Sequence, residues 1–294
     1  MPRRDDTGTE ATTGSAVIAV LARYAAELPV LERAAAADEP DGVHQARILV
    51  RRIRSVLGAA APVFDGGAAD QVRDRFAGLG DDLGEVRDLE VRIRHAEEHV
   101  GAGADASVVG RLILRERERY RAAHAGLVTV LDTAGPVHDA LAGLIADPPF
   151  AEEAMVPAAD GLAALLRHEV RRVRRAERRA IGDLDSLHRL RRAARRLRYT
   201  AEAFTEEPAE LLGDAVRELG AAAKEMQDVL GDHRDALLFA LQVRRGEAAA
   251  REAGEFADDY ARIADDAFAA ATARIEALPD AVRAFHTRAD AVFG

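Results

Sequence analysis

The sequence predicts an all-α fold built from two internally repeated helical bundles, and three observations carry that expectation. Ala, Leu, Arg and Glu dominate while β-branched runs are scarce. Apolar residues recur at three- and four-residue spacings along almost the whole chain. The most proline-marked interruption, "ADPPFAEEAMVP" at 146–157, splits the chain nearly in half, because Pro148 and Pro149 deny helix continuation. The periodicity places helices over 16–36, 41–58, 67–83, 87–100, 106–132, 136–146, 155–180, 185–205, 208–230, 233–251 and 255–292. The opening stretch "MPRRDDTGTEATTGS", residues 1–15, reads as a disordered tail.

A chain of 294 residues with 48% hydrophobic content can bury a substantial core. The absence of cysteine excludes disulfides, thiol nucleophiles, iron–sulfur clusters and thiolate zinc sites, and it fits a reducing compartment, by default the cytoplasm. The most apolar early segment, "AVIAVLARYAAELPVL", is interrupted by Arg23 and Glu27, so it reads as neither signal peptide nor membrane span, and nothing else approaches ~20 uninterrupted apolar residues. Of 41 basic residues only Lys224 is a lysine, so any cationic surface consists of planar guanidinium forks suited to phosphate or carboxylate.

The halves repeat. A shift of 144 residues lays His44, Arg47, Arg51, Arg52 and Arg54 on His188, Arg191, Arg195, Arg196 and Arg198, both copies reading H-x2-R-x3-R-R-x-R, and carries Arg23 onto Arg167. A second block matches at a shift of 147, setting Asp81, Leu83, Gly84, Arg87 and Asp88 against Asp228, Leu230, Gly231, Arg234 and Asp235. A repeat this long suggests two duplicated bundles, repeat 1 at about 16–145 and repeat 2 at about 155–292, instead of a stack of small units.

Both histidine–arginine segments sort by face. Arg47 and Arg51 fall within about 60° of His44 on a helical wheel, Arg52 and Arg54 flank them, and Leu49, Val50, Ile53, Val56 and Leu57 lie opposite. In the second copy Leu190, Ala193, Ala194, Leu197 and Phe204 oppose His188, Arg191, Arg192 and Arg195, with Tyr199 inside the polar face. Upstream, Arg167, Arg171, Arg174, Arg175 and Arg178 form one more stripe. Between 167 and 198 thirteen arginines face four acids, a local charge of +9 inside a chain of net charge −10. Solvated helices normally mix signs, because like charges at i,i+4 cost a few tenths of a kcal/mol each. Uncompensated arginines therefore imply an absent anion, and the acids, as in "EFADDYARIADDAF" at 255–268, are expected on the outer surface. His44 and His188 could donate to an anion; metal ligation is the weaker reading, since no Asp, Glu or second His stands at i+3 or i+4 and the neighbouring guanidiniums repel cations. The Arg87–Asp88 and Arg234–Asp235 steps follow Leu-Gly and read as helix starts, the Asp ordering the turn or the Arg reaching ligand.

Two "H..R...RR.R" blocks, "VHQARILVRRIRSVL" and "LHRLRRAARRLRYTAEAF", each followed by an "LG..RD" block, "LGEVRDLEV" and "KEMQDVLGDHRD", resemble the CHAD domain family over about 16–292. The resemblance implies two helical bundles related by pseudo-two-fold symmetry around a shared basic groove or pore, and non-catalytic binding of inorganic polyphosphate. The implied ligand-facing set is His44, Arg47, Arg51, Arg52, Arg54 and Arg87 from one half. From the other come His188, Arg191, Arg192, Arg195, Arg196, Arg198, Tyr199, Lys224 and Arg234. Gly80 stands where the second half has Gln227, which removes any symmetric role for that glutamine. Family members associate with polyphosphate granules, and some are fused to triphosphate tunnel enzymes, so a triphosphatase or other polyphosphate enzyme is an implied partner.

Other function classes are weaker. A metal-dependent helical phosphohydrolase would use His138–Asp139, but no second ligand cluster at purposeful spacing accompanies that pair. "RERERY" at 115–120 lacks the strand setting of a triphosphate tunnel. Nucleic acid would be held by its backbone alone, because aromatic content is 4% and few aromatics lie among the arginines. Docking of an acidic protein through the same stripes is the remaining alternative. No cofactor, metal or membrane is expected.

Overall fold

The computed structural model describes residues 11–100, 105–208 and 211–294. Among them the chain is helical throughout, with no strand and only two isolated bridges. The first half runs α1 (Thr13–Ala36), α2 (Gly42–Ala59), α3 (Ala68–His99), α4 (Ala106–Val109), a π-turn (Gly110–Leu114), α5 (Arg115–Asp132) and α6 (Gly135–Ala146). The second runs α7 (Ala158–Glu177), α8 (Leu184–Thr205), α9 (Asp214–Glu252), α10 (Asp258–Ile275) and α11 (Leu278–Phe293).

Local signals set the ends. Thr12 and Ser15 form a reciprocal capping box, so α1 begins at Thr13, inside the stretch expected to be a tail; residues 1–10 lie outside the described residues. Asp183 accepts from the Ser186 amide at 2.9 Å and starts α8. α1 is long and apolar enough to cross a membrane, with mean hydropathy 1.4 over 18 residues. Its Val17, Val20, Leu21, Tyr24 and Leu28 are nevertheless buried in the protein's own core.

Two expected breaks are absent. Helices expected at 67–83 and 87–100 are one helix, α3, and those expected at 208–230 and 233–251 are one helix, α9. Arg87–Asp88 and Arg234–Asp235 therefore sit mid-helix and start nothing. Gly84 and Gly231 are placed there for lateral room, as the site makes plain. Conversely, the helix expected over 255–292 is two, broken at 276–277. The segment 146–157 is a packed strap: Phe150 stacks on Phe64 at 6.0 Å, Thr13 N–H donates to the Val156 carbonyl at 2.8 Å, and Ala154 is fully buried.

The apolar faces build two cores. The larger joins α1, α2 and the N-terminal part of α3 to α7, α8 and the N-terminal part of α9, around Tyr24, Ile53, Phe76, Leu83, Leu166, Phe204 and Met226. The smaller gathers Ala96, Val108, Leu112, Phe239, Val243, Tyr260 and Ile263, so the distal ends of α3 and α9 are clasped by the π-turn and α10. The long helices α3 and α9 belong to both, and a cavity opens where the cores part.

α7 is keyed to α8 by charge as well as by packing. Glu169 is completely buried and pairs with Arg196 at 2.7 Å, while Arg196 also donates to the Gly58 carbonyl at the end of α2. Burial pushes the Glu169 carboxyl up, and Arg196 pulls it back. Truncating one member of such a pair strands the other charge, so Glu169→Ala is expected to cost about 3–5 kcal/mol. The measurement is the urea midpoint at unchanged slope. A loss of less than about 1 kcal/mol would show that the pair does not hold α7 to α8.

Candidate functional site

α2 and α8 pack against each other across the two halves, apolar face inward, which turns their arginine faces toward the cavity between the cores. The cavity has a volume of about 460 Å³. Arg47 and Arg51 enter from α2, Arg191 from α8 and Arg234 from α9. Its wall carries nine arginines against three carboxylates, Asp88, Glu116 and Asp235.

The defining feature is unrelieved like charge. Among the described residues, Arg51, Arg54, Arg191, Arg192 and Arg195 have no carboxylate in ion-pair range and no hydrogen-bond acceptor for their guanidiniums. Burial and then the charge of Arg195 push Arg51 down to about 9. Burial and then Arg191 push Arg195 down to about 10. A guanidinium under that pressure is still protonated at neutral pH, so the α2–α8 crossing holds like charges close together.

A glycine of α3 and one of α9 lie beside Arg47 and Arg191, closely enough at Gly231 that a side chain there would displace Arg191. A Cβ on Gly231 would stand 2.9 Å from Nη2 of Arg191, and one on Gly84 3.6 Å from Nη2 of Arg47. In each half the "LG" of the second block lets an arginine of the first block lie across the long helix. Arg54 uses Gly80 in the same way, since a Cβ there would meet its Nη1 at 2.9 Å, and Gln227 of α9 stands at the equivalent place. Arg47 is steadied by Asp88 at 3.0 Å, and Arg234 lies 3.7 Å from Asp235.

Other expected site residues face elsewhere. Arg196 is committed to Glu169 and Gly58 as above. Arg52 and Arg198 share Glu202, at 3.3 and 2.6 Å, and both lie over the ring of Tyr199, which is buried, so this trio braces α2 against α8 outside the cavity. Lys224 is exposed on α9, pairs with Asp228 at 2.5 Å and borders a separate shallow depression with Asp232 and Arg274. Within the upstream stripe, Arg167 stacks on Phe293 and Arg174 pairs with Asp290, whereas Arg171, Arg175 and Arg178 are exposed. Asp258, Asp265 and Asp266 are exposed on α10, as expected of the acidic segment. His138 is held by the buried Glu32 at 2.9 Å and joins α6 to α1, which leaves Asp139 without a histidine partner for hydrolase chemistry.

His44, Arg54, Arg87, His188, Arg192 and Arg195 do not line the cavity, and each histidine lies within the field of the arginine of its own half's "RD" step. Burial followed by Arg87 pushes His44 down, and burial followed by Arg234 pushes His188 down. Arg87 is itself paired with Glu90 at 2.7 Å. Both imidazoles are therefore neutral in the ligand-free protein at neutral pH.

Sequence reasoning missed Arg92 and His95 of α3, Arg111 in the π-turn, Arg115 and Arg119 of α5, and Arg245 of α9, all on the cavity wall. One signal was available: Asp88, Arg92 and His95 follow an i, i+4, i+7 rhythm out of the "RD" block. Several are neutralised locally, Arg111 by both oxygens of Glu255 at 2.7 and 2.9 Å and Arg92 by Glu116 at 3.2 Å. Among the described residues the wall's arginines without an ion-pair partner are Arg51 of α2, Arg191 of α8, Arg115 of α5 and Arg245 of α9.

The CHAD domain model matches residues 19–244, which contain both histidine–arginine helices and both "RD" steps. The chain belongs to the CHAD family. Two relatives in Mycobacterium tuberculosis, the uncharacterized proteins Rv2226 (strain H37Rv) and MT2285 (strain CDC 1551), are 31% and 30% identical over 241 residues. Those residues are 78% of this chain and 45% of each relative, so the chain spans less than half of their length. The crystal structure of the CHAD domain from the plant Ricinus communis matches 99% of this chain with 95% of its own, at a TM-score of 0.65 and 22% identity. PptA from Streptomyces chartreusis matches 95% with 99% of its own, at a TM-score of 0.65 and 19% identity. Both likenesses are of fold, and they carry the CHAD architecture through α10 and α11, past the end of the family match.

The depressed histidines make a stability prediction for this CHAD chain. Their folded pKa lies below the unfolded value of 6.5, so the unfolded chain binds protons first and stability falls as pH drops through about 6.5 toward the folded pKa. Glu32 and Glu169, pushed up by burial, act in the opposite sense at lower pH. The informative comparison is therefore between variants. The His44→Gln/His188→Gln protein is expected to lose less of its thermal midpoint between about pH 7.5 and 5.5 than the parent. Parallel curves would exclude the histidines as the cause.

Proposed function

We propose that the cavity and its rim bind inorganic polyphosphate and do no chemistry on it. One observation carries this reading: Arg51, Arg54, Arg191, Arg192 and Arg195, on helices of opposite halves, have no ion-pair partner among the described residues, and Arg51 and Arg191 of them reach the cavity wall. A linear polyanion with about one charge per unit matches a row of guanidinium forks, each able to make bidentate, charge-assisted contacts to non-bridging oxygens. CHAD membership supports the choice of polymer. The repeated relation of Arg47 to Gly84 and Arg191 to Gly231, and of His44 to Arg87 and His188 to Arg234, supports halves related by a pseudo-two-fold axis, with the polymer lying across it.

Binding without turnover is the better reading, because the groups facing the open charge are guanidiniums, which hold their protons and offer no nucleophile. Asp88 and Glu116 on the same wall are each bonded to arginine, at 3.0 and 3.2 Å. Turnover of the polymer would then belong to another polypeptide or domain, a triphosphatase or other polyphosphate enzyme. Recruitment to cytoplasmic polyphosphate granules is the setting this reading implies. Nucleic acid is disfavoured, since the aromatic ring on the wall, Phe239, is 1% exposed and offers no base a stacking face.

The test is calorimetry with long-chain polyphosphate, single-stranded DNA as control, and the double variant Arg51→Ala/Arg195→Ala. Each lost contact should cost about 1.5–3 kcal/mol of binding. Folding should be no worse, since the substitutions remove like-charge repulsion. The logarithm of affinity should fall linearly with the logarithm of salt concentration as counterions are released. A bound anion raises the depressed histidines, so binding should take up protons, and affinity should strengthen as pH falls through their bound-state pKa. Unchanged affinity in the folded double variant would refute the assigned site. Phosphate release during titration would refute binding without turnover.

A further inference from the structure

We infer that His95, Glu98 and His99 form a site for a divalent transition-metal ion at the edge of the cavity. The three residues occupy the last turns of α3 at i, i+3 and i+4, and one ligand atom from each lies within 4.8 Å of the others. Two histidines four apart on one helix face, with a glutamate preceding the second, make a recurrent metal-binding arrangement.

The two imidazoles are prepared for a metal in different ways. His99 Nδ1 lies 2.8 Å from the His95 carbonyl, so it donates there and leaves Nε2 with its lone pair free, the hydrogen bond that usually fixes the tautomer of a metal-bound histidine. His95 Nδ1 is buried without a hydrogen-bond partner, 3.7 Å from Oε2 of Glu98. The ring of Phe239 packs against both, at 5.7 and 5.2 Å, and holds their planes. Burial pushes His95 down, which keeps its imidazole neutral.

Electrostatics permit a cation here although they forbid one at the α2–α8 crossing. Arg92 is paired with Glu116 at 3.2 Å, and besides Glu98 the carboxylate of Asp235 on α9 adds negative charge near His95, against Arg94. Three protein ligands leave a fourth tetrahedral position, and because His95 lines the cavity that position is open to solvent or to an anionic oxygen within it. An imidazole-rich donor set selects zinc, cobalt or nickel over magnesium or calcium. The site stands on its own geometry and does not require polyphosphate to be the ligand of the cavity.

The test titrates metal-stripped protein with Co²⁺, followed by visible absorption, and with Zn²⁺ by calorimetry, without polyphosphate. One equivalent is expected to bind, and Zn²⁺ is expected to raise the thermal midpoint. His99→Gln, and separately Glu98→Gln at an exposed position, should weaken uptake at least about tenfold while circular dichroism stays helical. His233→Gln, whose native ring bonds the Ala271 carbonyl away from the cluster, should bind like the parent. Absence of stoichiometric uptake by the parent, or equal uptake by His99→Gln and Glu98→Gln, would overturn the site.

Discussion

The crossing of α2 and α8 is the constraint on which the rest of the structure depends. α2 and α8 lie side by side, and because Leu49, Ile53 and Val56 of one and Leu190, Ala194 and Leu197 of the other are buried in the same core, their arginine faces are left next to each other. Apolar burial near 25 cal/mol per Å² outweighs the repulsion of partly solvated guanidiniums, so the packing holds charges together that would otherwise separate. Around the crossing each arginine that can be neutralised without filling the cavity is neutralised: Arg52 and Arg198 by Glu202, Arg196 by Glu169, Arg47 by Asp88. Arg51, Arg54, Arg191, Arg192 and Arg195 are left without an ion-pair partner among the described residues, and Arg51 and Arg191 stand on the cavity wall.

The same constraint explains what was legible in the sequence. The faces of α2 and α8 could be read because a strict 3.6-residue separation of arginine from aliphatic residues survives in both copies. The helix boundaries inside α3 and α9 could not, because glycine beside an Arg-Asp step carries two meanings, helix end or close approach, and only the neighbouring helix decides between them. Gly84 and Gly231 are flat places on continuous helices that accept Arg47 and Arg191. Arg92, Arg111, Arg115, Arg119 and Arg245 were hidden for another reason. Their neighbours include acids, so they look like ordinary solvated helix surface, and their orientation depends on the smaller core, where Ala96, Leu112, Phe239 and Tyr260 meet across long stretches of chain. Arg52, Arg196 and Arg198 were over-read, since a wheel cannot tell a guanidinium aimed at a ligand from one aimed at a buried glutamate.

Net charge is a poor guide to this molecule. The chain carries −10, yet negative charge is spread over exposed positions such as Asp258, Asp265 and Asp266, while unpaired positive charge is concentrated where walls of low polarizability focus its field.

The direction of the open charge bears on the shape of the ligand. Arg51 and Arg195 are mostly enclosed and Arg192 is exposed, while Arg54 is offset by Asp81, Arg73 by Asp70 and Asp74, and Arg196 by Glu169. On α7, Arg172 and Arg175 face solvent, as does Arg179 just past its end, without carboxylate partners among the described residues. A small anion would be satisfied inside the cavity and would leave this outer sequence of cations unexplained. On the proposed reading a long polyanion would use both parts, because charge that it cannot place inside would still meet the exposed guanidiniums. The two environments would then divide the work physically: enclosed arginines, less screened by salt, supply affinity per contact, and exposed ones, screened within a Debye length of about 8–10 Å, supply capture rate and length dependence.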